Sequence, residues 1–323
     1  MEYENVSDAW DDPKRRYPTI AYVETVNLCN ALCLCCPTKR LKRPRGIMPL
    51  EDFKVIADKV KARGLKVGAM FCFGEPFLDP TLIDKMEYGR MIDVFPSGHY
   101  GFNTNGSLIK PDHYEGIMRN TTNITFSCYN VGTEYDRLTG NLSWDKFFET
   151  VTNFIKYRDC HYPAFNIFIG TNKIPGSDLA KVKEAFKGYN VQYAVDANIN
   201  YGEHNILTGI VDRSILYDWW TCDGHVGAVQ VKFNGDCEYC AFDQIGTPTG
   251  GFTKVGNLLT GSFDDVERNF KAKWKTGSEQ CKRCDYWNRY KAVKACGFRR
   301  PAPLPNDWYD WQKPYLDGGA VIP

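Results

Sequence analysis

The stretch NLCNALCLCCPTK (27–39) places Cys29, Cys33, Cys35 and Cys36 within eight residues, directly after an apolar run. Cys29-x3-Cys33-x2-Cys36 offers three thiolates. A [4Fe–4S] cube normally takes four cysteines. Three would leave one iron open, as catalytic metal sites keep a free coordination position. An open iron can chelate a small molecule through an amino and a carboxylate group. Zinc would need a fourth ligand, and no histidine lies nearby in sequence. A redox disulfide fits Cys33-x2-Cys36 and leaves Cys29 unexplained. The spacing therefore favours the cluster over both.

Something must hold these thiols, and the first 200 residues alternate between two periods. TIAYVETV (19–26) reads as a strand, LEDFKVIADKVKARG (50–64) as a helix ending in Gly64, and VGAMFCF (67–73) as a strand. LIDKMEYGRMIDVF (82–95) is a helix, and HYGFNTNG (99–106) a strand and turn. A short helix near 111–119 precedes the strand ITFSCYN (124–130). A helix over 144–158, the strand FNIFIGTN (165–172), a helix over 176–187 and the strand VQYAVDAN (191–198) follow. Strands alternating with helices predict a parallel sheet with right-handed crossovers. Six such units make an α/β fold, a partial (β/α)6 TIM-like barrel. Past residue 205 the pattern breaks into Cys-, Trp-, Tyr- and Gly-rich sequence. The expected division is an N-terminal extension (1–17), the core (18–210), a small α+β domain (211–300) and a tail (301–323).

In a parallel barrel every strand C-terminus opens on one face, where active sites form. Cys29, Cys33 and Cys36 follow the first strand, and FGEP (73–76) follows the second. NTNG (103–106) ends the third, and Ser127 with Cys128 ends the fourth. Four polar signals are thus expected at one mouth.

Composition narrows the setting. The chain has 323 residues with 43% hydrophobic and 24% charged, which suits a globular protein of two domains. A net charge of +1 gives no global field toward nucleic acid or anionic lipid. No run of about 18 apolar residues is present to span a membrane. The acidic N-terminus lacks an apolar segment and does not read as a signal peptide. The expected location is cytoplasmic. Thirteen cysteines in a reducing compartment then point to metal or redox chemistry over disulfides.

CNALCLCC carries the CxxxCxxC signature of radical S-adenosylmethionine (SAM) enzymes, and the chain resembles that family from its first strand to near Cys284. The resemblance implies that SAM binds the unique iron of the cluster. An electron from a donor such as flavodoxin or ferredoxin then splits SAM into methionine and a 5′-deoxyadenosyl radical, which abstracts a substrate hydrogen. FGEP resembles the family's GGEP motif, with Phe73 in place of the first Gly. By that likeness Gly74 and Glu75 meet the SAM amino group, Asn105 lies near the SAM carboxylate or ribose, and Ser127 reaches the ribose. Each has an ordinary reading beside it: a turn with a solvated acid, an Asn-Gly turn, a strand-end serine. Cys35 stands where the family has an apolar or aromatic residue beside the adenine, and is expected to pack without binding iron.

A second set of cysteines lies downstream. Cys222-x12-Gly235-x4-Cys240 fits the CX9–15GX4C element of SPASM and twitch domains, with Phe233-Asn234-Gly235 as a hairpin turn. Val255-Gly256-Asn257-Leu258, Trp274 and Cys281-x2-Cys284 follow. The resemblance implies one auxiliary [4Fe–4S] cluster on Cys222, Cys240, Cys281 and Cys284, with Cys237 and Cys296 spare. Four cysteines on zinc is the alternative. Tyr290 stands six residues after Cys284, where a full SPASM domain has a cysteine, so the domain reads as twitch-like.

Of the other thiols, Cys72 and Cys160 read as buried and inert. Cys128 is expected to face the mouth, as a hydrogen donor to a substrate radical or as wall. KRLKRPRG (39–46) reads as a solvated loop ahead of a phosphate site. The aromatics near 217–220, 286–290 and 308–315 read as packing ahead of base stacking. Asn172, Asp196, Asn200, Glu203 and His204 are expected to point into the mouth and ask for a polar substrate. The resulting function is a radical SAM oxidoreductase or isomerase acting on a sugar, aminocyclitol or nucleoside. A peptide-modifying SPASM maturase is an alternative; the short segment before the first strand argues against a peptide-recognition domain there. A nucleotide- or DNA-modifying enzyme is another. A non-enzymatic iron–sulfur electron carrier would have no use for Glu75, Asn105 and Ser127 at the same mouth. No membrane partner is expected.

Overall fold

The first strand, β1 (Thr19–Val23), ends where the cysteine stretch begins. In the computed structural model, which describes residues 19–36, 38, 41–96, 100–172, 174–196, 228–240 and 253–276, β1 is the pivot of the sheet. It pairs in parallel with β2 (Val67–Ala69) on one edge, Ile20 opposite Val67. Between them runs α1 (Leu50–Ala62), which buries Phe53, Ile56, Ala57 and Val60, an i, i+3, i+4, i+7 stripe. Arg63 caps it and Gly64, at φ 70, turns the chain away.

A second ladder holds four parallel strands: β3 (Gly101–Thr104), β4 (Asn123–Ser127), β5 (Asn166–Asn172) and β6 (Gln192–Asp196). Its connections are α2 (Leu82–Met91) before β3, α3 (Tyr114–Asn120) before β4, α4 (Gly132–Thr139) and α5 (Trp144–His161) before β5, and α6 (Leu179–Ala185) before β6. This is the strand–helix alternation of a parallel α/β partial barrel. β4 and β5 alternate between a buried and a half-buried face. Ile124, Phe126, Ile167 and Ile169 join the core, where Phe126 meets Phe147 and Phe154 of α5 edge-on. Ser127 and Asn172 lie on the opposite face.

Two points differ from the single six-stranded parallel sheet expected. β2 is three residues long and ladders only to β1, so β2 and β3 are not hydrogen-bonded neighbours. The other edge of β1 is taken by β7 (Ala228–Val231), also in parallel, with Ile20 opposite Val229. An unpaired edge on an apolar strand is a template for aggregation, and β7 covers it. β7 continues antiparallel into β8 (Asp236–Glu238) and β9 (Lys254–Asn257). The hairpin turn at 232–235 is present as expected, closed by Lys232 N–H to Asp236 O at 2.7 Å, with Gly235 at φ 81. Asn257 ties that turn together, donating to Asn234 O (3.0 Å) and Asp236 Oδ1 (2.8 Å).

A final helix, α7 (Phe263–Thr276), opens on a Ser262–Asp265 capping box. It docks on α1: Lys59 Nζ donates to Leu258 O (2.6 Å) and Gly261 O (3.0 Å), and Arg63 pairs with Asp264 (2.9 Å) and Glu267. No helix among the described residues is long and apolar enough to cross a membrane.

Candidate active site

Three segments grip the cysteine loop, through backbone groups and asparagine side chains. Asn27 is buried and brackets the loop ends, donating to Pro44 O and accepting from Gly46 N–H, both at 2.9 Å. The segment after β2 approaches from one side. Glu75 N–H donates to Leu28 O at 2.8 Å. Gly74 sits at φ 100, and a Cβ there would lie 2.6 Å from Val26 O and 2.8 Å from Leu28 O. Only glycine allows this conformation and this approach. From the other side come the last carbonyls of α4: Leu32 N–H donates to Thr139 O and Leu34 N–H to Leu138 O, both at 2.9 Å. Asn141 completes the clamp, accepting from Leu32 N–H at 3.1 Å and donating to Asn30 O at 2.5 Å.

Within this frame Cys29, Cys33 and Cys36 are half-buried. Burial pushes the Cys29 thiol up to about 11 and Cys33 well above its ordinary value, and the neighbouring thiols add to both shifts. The three thiols lie within electrostatic reach of one another. Among the described residues no three Cys, His, Asp or Glu side chains converge on a single-ion site. Three half-buried thiols at this spacing on one loop are a donor set suited to a polynuclear cluster. Cys35 is 5% exposed and packs with Tyr129, Leu138 and Ile174. Tyr129 and Asn172 also approach its thiol.

The ends of β2 and β3 meet the cysteine loop. Glu75 is 1% exposed. Its Oε1 accepts from Thr104 Oγ1 (2.6 Å) and Phe77 N–H (3.2 Å), and its Oε2 from Asn105 N–H (2.8 Å). An ionised carboxylate has about four acceptor positions, so capacity remains on Oε2. Burial raises the carboxyl to about 7, against the pull of those three donors. The Asn105 side chain donates to Asn30 Oδ1 at 2.9 Å and lies 4.0 Å from Cys29 Sγ. Asn30 in turn donates to Ser107 Oγ at 2.8 Å. The loops after β1, β2 and β3 thus form one hydrogen-bonded unit. Ser127 ends β4 on the face opposite Phe126 and pairs with Gly170.

Other expected positions come out differently. Cys128 is fully buried on the Phe126 side of β4, in the core, with its thiol 3.3 Å from Asn130 O. Strand alternation turns it away from the mouth. Cys160 is exposed on α5, and Cys72 is half-buried, its thiol 3.6 Å from Gln230 Oε1. Arg43, at the centre of the basic segment, is neither solvated nor open to phosphate. It is 4% exposed and makes a bidentate pair with Glu24, both contacts at 2.6 Å. Beside it lie Lys232 and Glu238, 3.4 Å apart and both buried. Cys237 is fully buried and Cys240 half-buried. Asp196 closes β6, its partner in register being Asn172. Cys222, Cys281, Cys284, Cys296, Asn200, Glu203, His204 and the three aromatic stretches lie outside the described residues.

Sequence reasoning passed over Asn27, Asn30, Asn141 and Tyr129. Only Asn141 had a local signal, a Gly-Asn pair closing a helix.

Residues 23–187, more than half of the chain, match the profile of the Radical SAM superfamily. The chain belongs to the radical SAM superfamily. Its members bind a [4Fe–4S] cluster and SAM, and the donor set of the cysteine loop fits that cluster. Solved structures show the same fold. SuiB from Streptococcus suis, bound to its precursor peptide SuiA, is 13% identical with a TM-score of 0.62, over 84% of this chain and 70% of that one. BtrN in complex with AdoMet and 2-DOIA is 15% identical with a TM-score of 0.53, over 92% and 98%. anSMEcpe with bound AdoMet is 16% identical with a TM-score of 0.56, over 94% and 96%. No curated protein matches the chain.

Proposed function

We propose that this radical SAM enzyme abstracts a hydrogen atom from a polar small molecule of sugar, aminocyclitol or nucleoside type, for dehydrogenation, epimerisation or rearrangement. The observation that carries the reading is the hydrogen-bonded convergence of the Cys29 loop, Glu75 and Asn105. Cys29, Cys33 and Cys36 would hold the cluster. When bound, cluster and SAM together supply a 5′-deoxyadenosyl radical. Glu75 would accept the SAM ammonium on its remaining acceptor capacity, and the cation would hold the carboxylate ionised. Gly74 keeps that carboxylate against the loop, Asn105 orients the SAM carboxylate or ribose, and Ser127 faces the ribose. The core placement of Cys128 leaves its hydrogen-donor role without geometric support.

Cys222, Cys240, Cys281 and Cys284 would close one auxiliary cluster in a twitch-like domain over 211–300. Cys237 fits the spare role, being packed in the core. BtrN, crystallised with AdoMet and 2-DOIA, and this chain cover each other almost fully, in keeping with a small-molecule substrate; anSMEcpe, crystallised with AdoMet and a peptide, does so equally, which keeps a peptide as the second reading. A cytoplasmic enzyme reduced by a flavodoxin or ferredoxin completes the reading.

Incubating reconstituted protein anaerobically with SAM and dithionite should release 5′-deoxyadenosine. Protein with loaded clusters that releases none would sink the reading. Iron analysis tests the auxiliary cluster: about 8 Fe per chain fits two cubes, about 4 refutes the second. Deuterium carried from a labelled substrate into 5′-deoxyadenosine would identify the substrate class.

A further inference from the structure

Three polar side chains beside the cysteine loop close a ring. Asn105 Nδ2 donates to Asn30 Oδ1 (2.9 Å), Asn30 Nδ2 donates to Ser107 Oγ (2.8 Å), and Ser107 Oγ donates to Asn105 Oδ1 (2.6 Å). Each member donates once and accepts once around the ring, so the bonds polarise one another in the same sense. The Ser107 backbone N–H adds a second donor to Asn105 Oδ1 at 2.9 Å. A backbone N–H only donates, which fixes the sense of the amide: its oxygen faces Ser107 and its nitrogen faces the cysteine loop.

Backbone groups tether the ring at both ends. Asn105 N–H donates to Glu75 Oε2 (2.8 Å), and Asn30 O accepts from Asn141 Nδ2 (2.5 Å). With two donors already on its oxygen, the Asn105 amide acts toward the loop only as a donor. Its Nδ2 carries two hydrogens, and one of them closes the ring. For the other, the acceptor among the described residues is Cys29 Sγ, at 4.0 Å. Ala31 N–H reaches the same sulfur from within the loop at 3.4 Å. A neutral thiol is a weak acceptor, whereas a charged sulfur draws a donor in more strongly.

Resting on the assignment of Cys29 as a cluster ligand, we propose that the ring of Asn30, Asn105 and Ser107 turns one Asn105 N–H onto the Cys29 sulfur and so makes the loop cluster easier to reduce. The reduced cluster carries one more negative charge than the oxidised one, and a donor at ligand sulfur stabilises it more. Hydrogen bonds to sulfur are among the main levers on cluster potential. Asn30 acts through Asn105 and is a positioning residue.

The test compares wild type, Asn105→Ala, Asn30→Ala and the double variant, all reconstituted to the same iron content. Both substitutions keep the backbone groups that bond Glu75 and Asn141. Reductive titration is followed by the electron paramagnetic resonance signal that changes on adding SAM, which selects this cluster over an auxiliary one. At a fixed potential Asn105→Ala should show a reduced-to-oxidised ratio about threefold lower, a midpoint about 30 mV more negative for a one-electron couple. Asn30→Ala should shift the midpoint in the same direction, and should shift it no further once Asn105 is replaced, whereas independent effects add. An unchanged midpoint in Asn105→Ala overturns the proposal; weaker SAM binding by that variant would then assign the N–H to SAM. An Asn30→Ala shift that persists in full in the double variant overturns the action of the ring through Asn105. Wild type that takes up no SAM-responsive cluster fails the ligand assignment instead. If Asn105→Ala holds no iron, Asn30→Ala alone decides, and no shift in it overturns the proposal.

Discussion

Cys35 and Cys36 are neighbours in sequence and differ in surroundings. Cys35 is enclosed by Tyr129, Leu138 and Ile174, whereas Cys36 is half-buried and its thiol lies 2.9 Å from Thr38 Oγ1. Cys36→Ala should lose the iron of the loop cluster and Cys35→Ala should keep it; absorbance near 400 nm and iron analysis decide, and the reverse result shifts the register to 29, 33 and 35. Glu75 makes a second prediction at this scale. Its carboxyl is raised from 4.5 to about 7 by burial. A raised acid contributes stability at low pH and loses it as pH rises through the folded value. At about 1.4 kcal/mol per pKa unit, the wild type should lose roughly 3 kcal/mol relative to Glu75→Gln between pH 4.5 and 8. Thermal melts across that range measure it, and SAM added at pH 8 should stabilise wild type more than the variant. The identities of these residues were legible in the sequence, because the cysteine spacing and the Gly-Glu-Pro turn are local patterns. The orientation of Cys128 was not, since it depends on which face of β4 meets α5.

At the scale of elements, the strands and longer helices announced themselves through their periods. α1 and α5 carry clear apolar stripes, and β4 and β5 alternate. α4 did not. It has eight residues, no side-chain cap, and a sequence, GTEYDRLT, that reads as a polar connection. Yet it supplies the clamp on the cysteine loop. Gly140 ends it at φ 81, where a Cβ would lie 2.8 Å from Leu32 O. Gly140→Ala imposes a left-handed penalty of about 1–2 kcal/mol, with the clash added. The variant should melt lower and lose iron faster to a chelator, whereas an exposed Gly188→Ala, with φ 87 but open space around it, should leave iron retention unchanged. If both variants release iron alike, the clamp is not what holds the loop.

For the whole molecule, the sequence told of two parts and not of how they join. Periodicity reports on neighbours along the chain, while the β1–β7 pairing links residues near 20 with residues near 229. The junction is also ionic. Arg43–Glu24 and Lys232–Glu238 bring β1, the cysteine loop and the β7–β8 hairpin together in a buried charged cluster. Removing one member of a buried pair leaves an uncompensated charge and costs about 3–5 kcal/mol. Arg43→Met should be destabilised by that order in denaturant melts, and Glu24→Gln in the same chain should restore much of it. A restored double variant with normal cluster content would show that the pair is structural. The same long-range pairing bears on biosynthesis. Translation delivers the cysteine loop early and β7 some two hundred residues later, and non-local strand pairing is slow and exposed to aggregation until it closes. A nascent chain ending before residue 228 leaves this edge of β1 bare, so the strand that leads into the cysteine loop completes its pairing only after some two hundred further residues have been made.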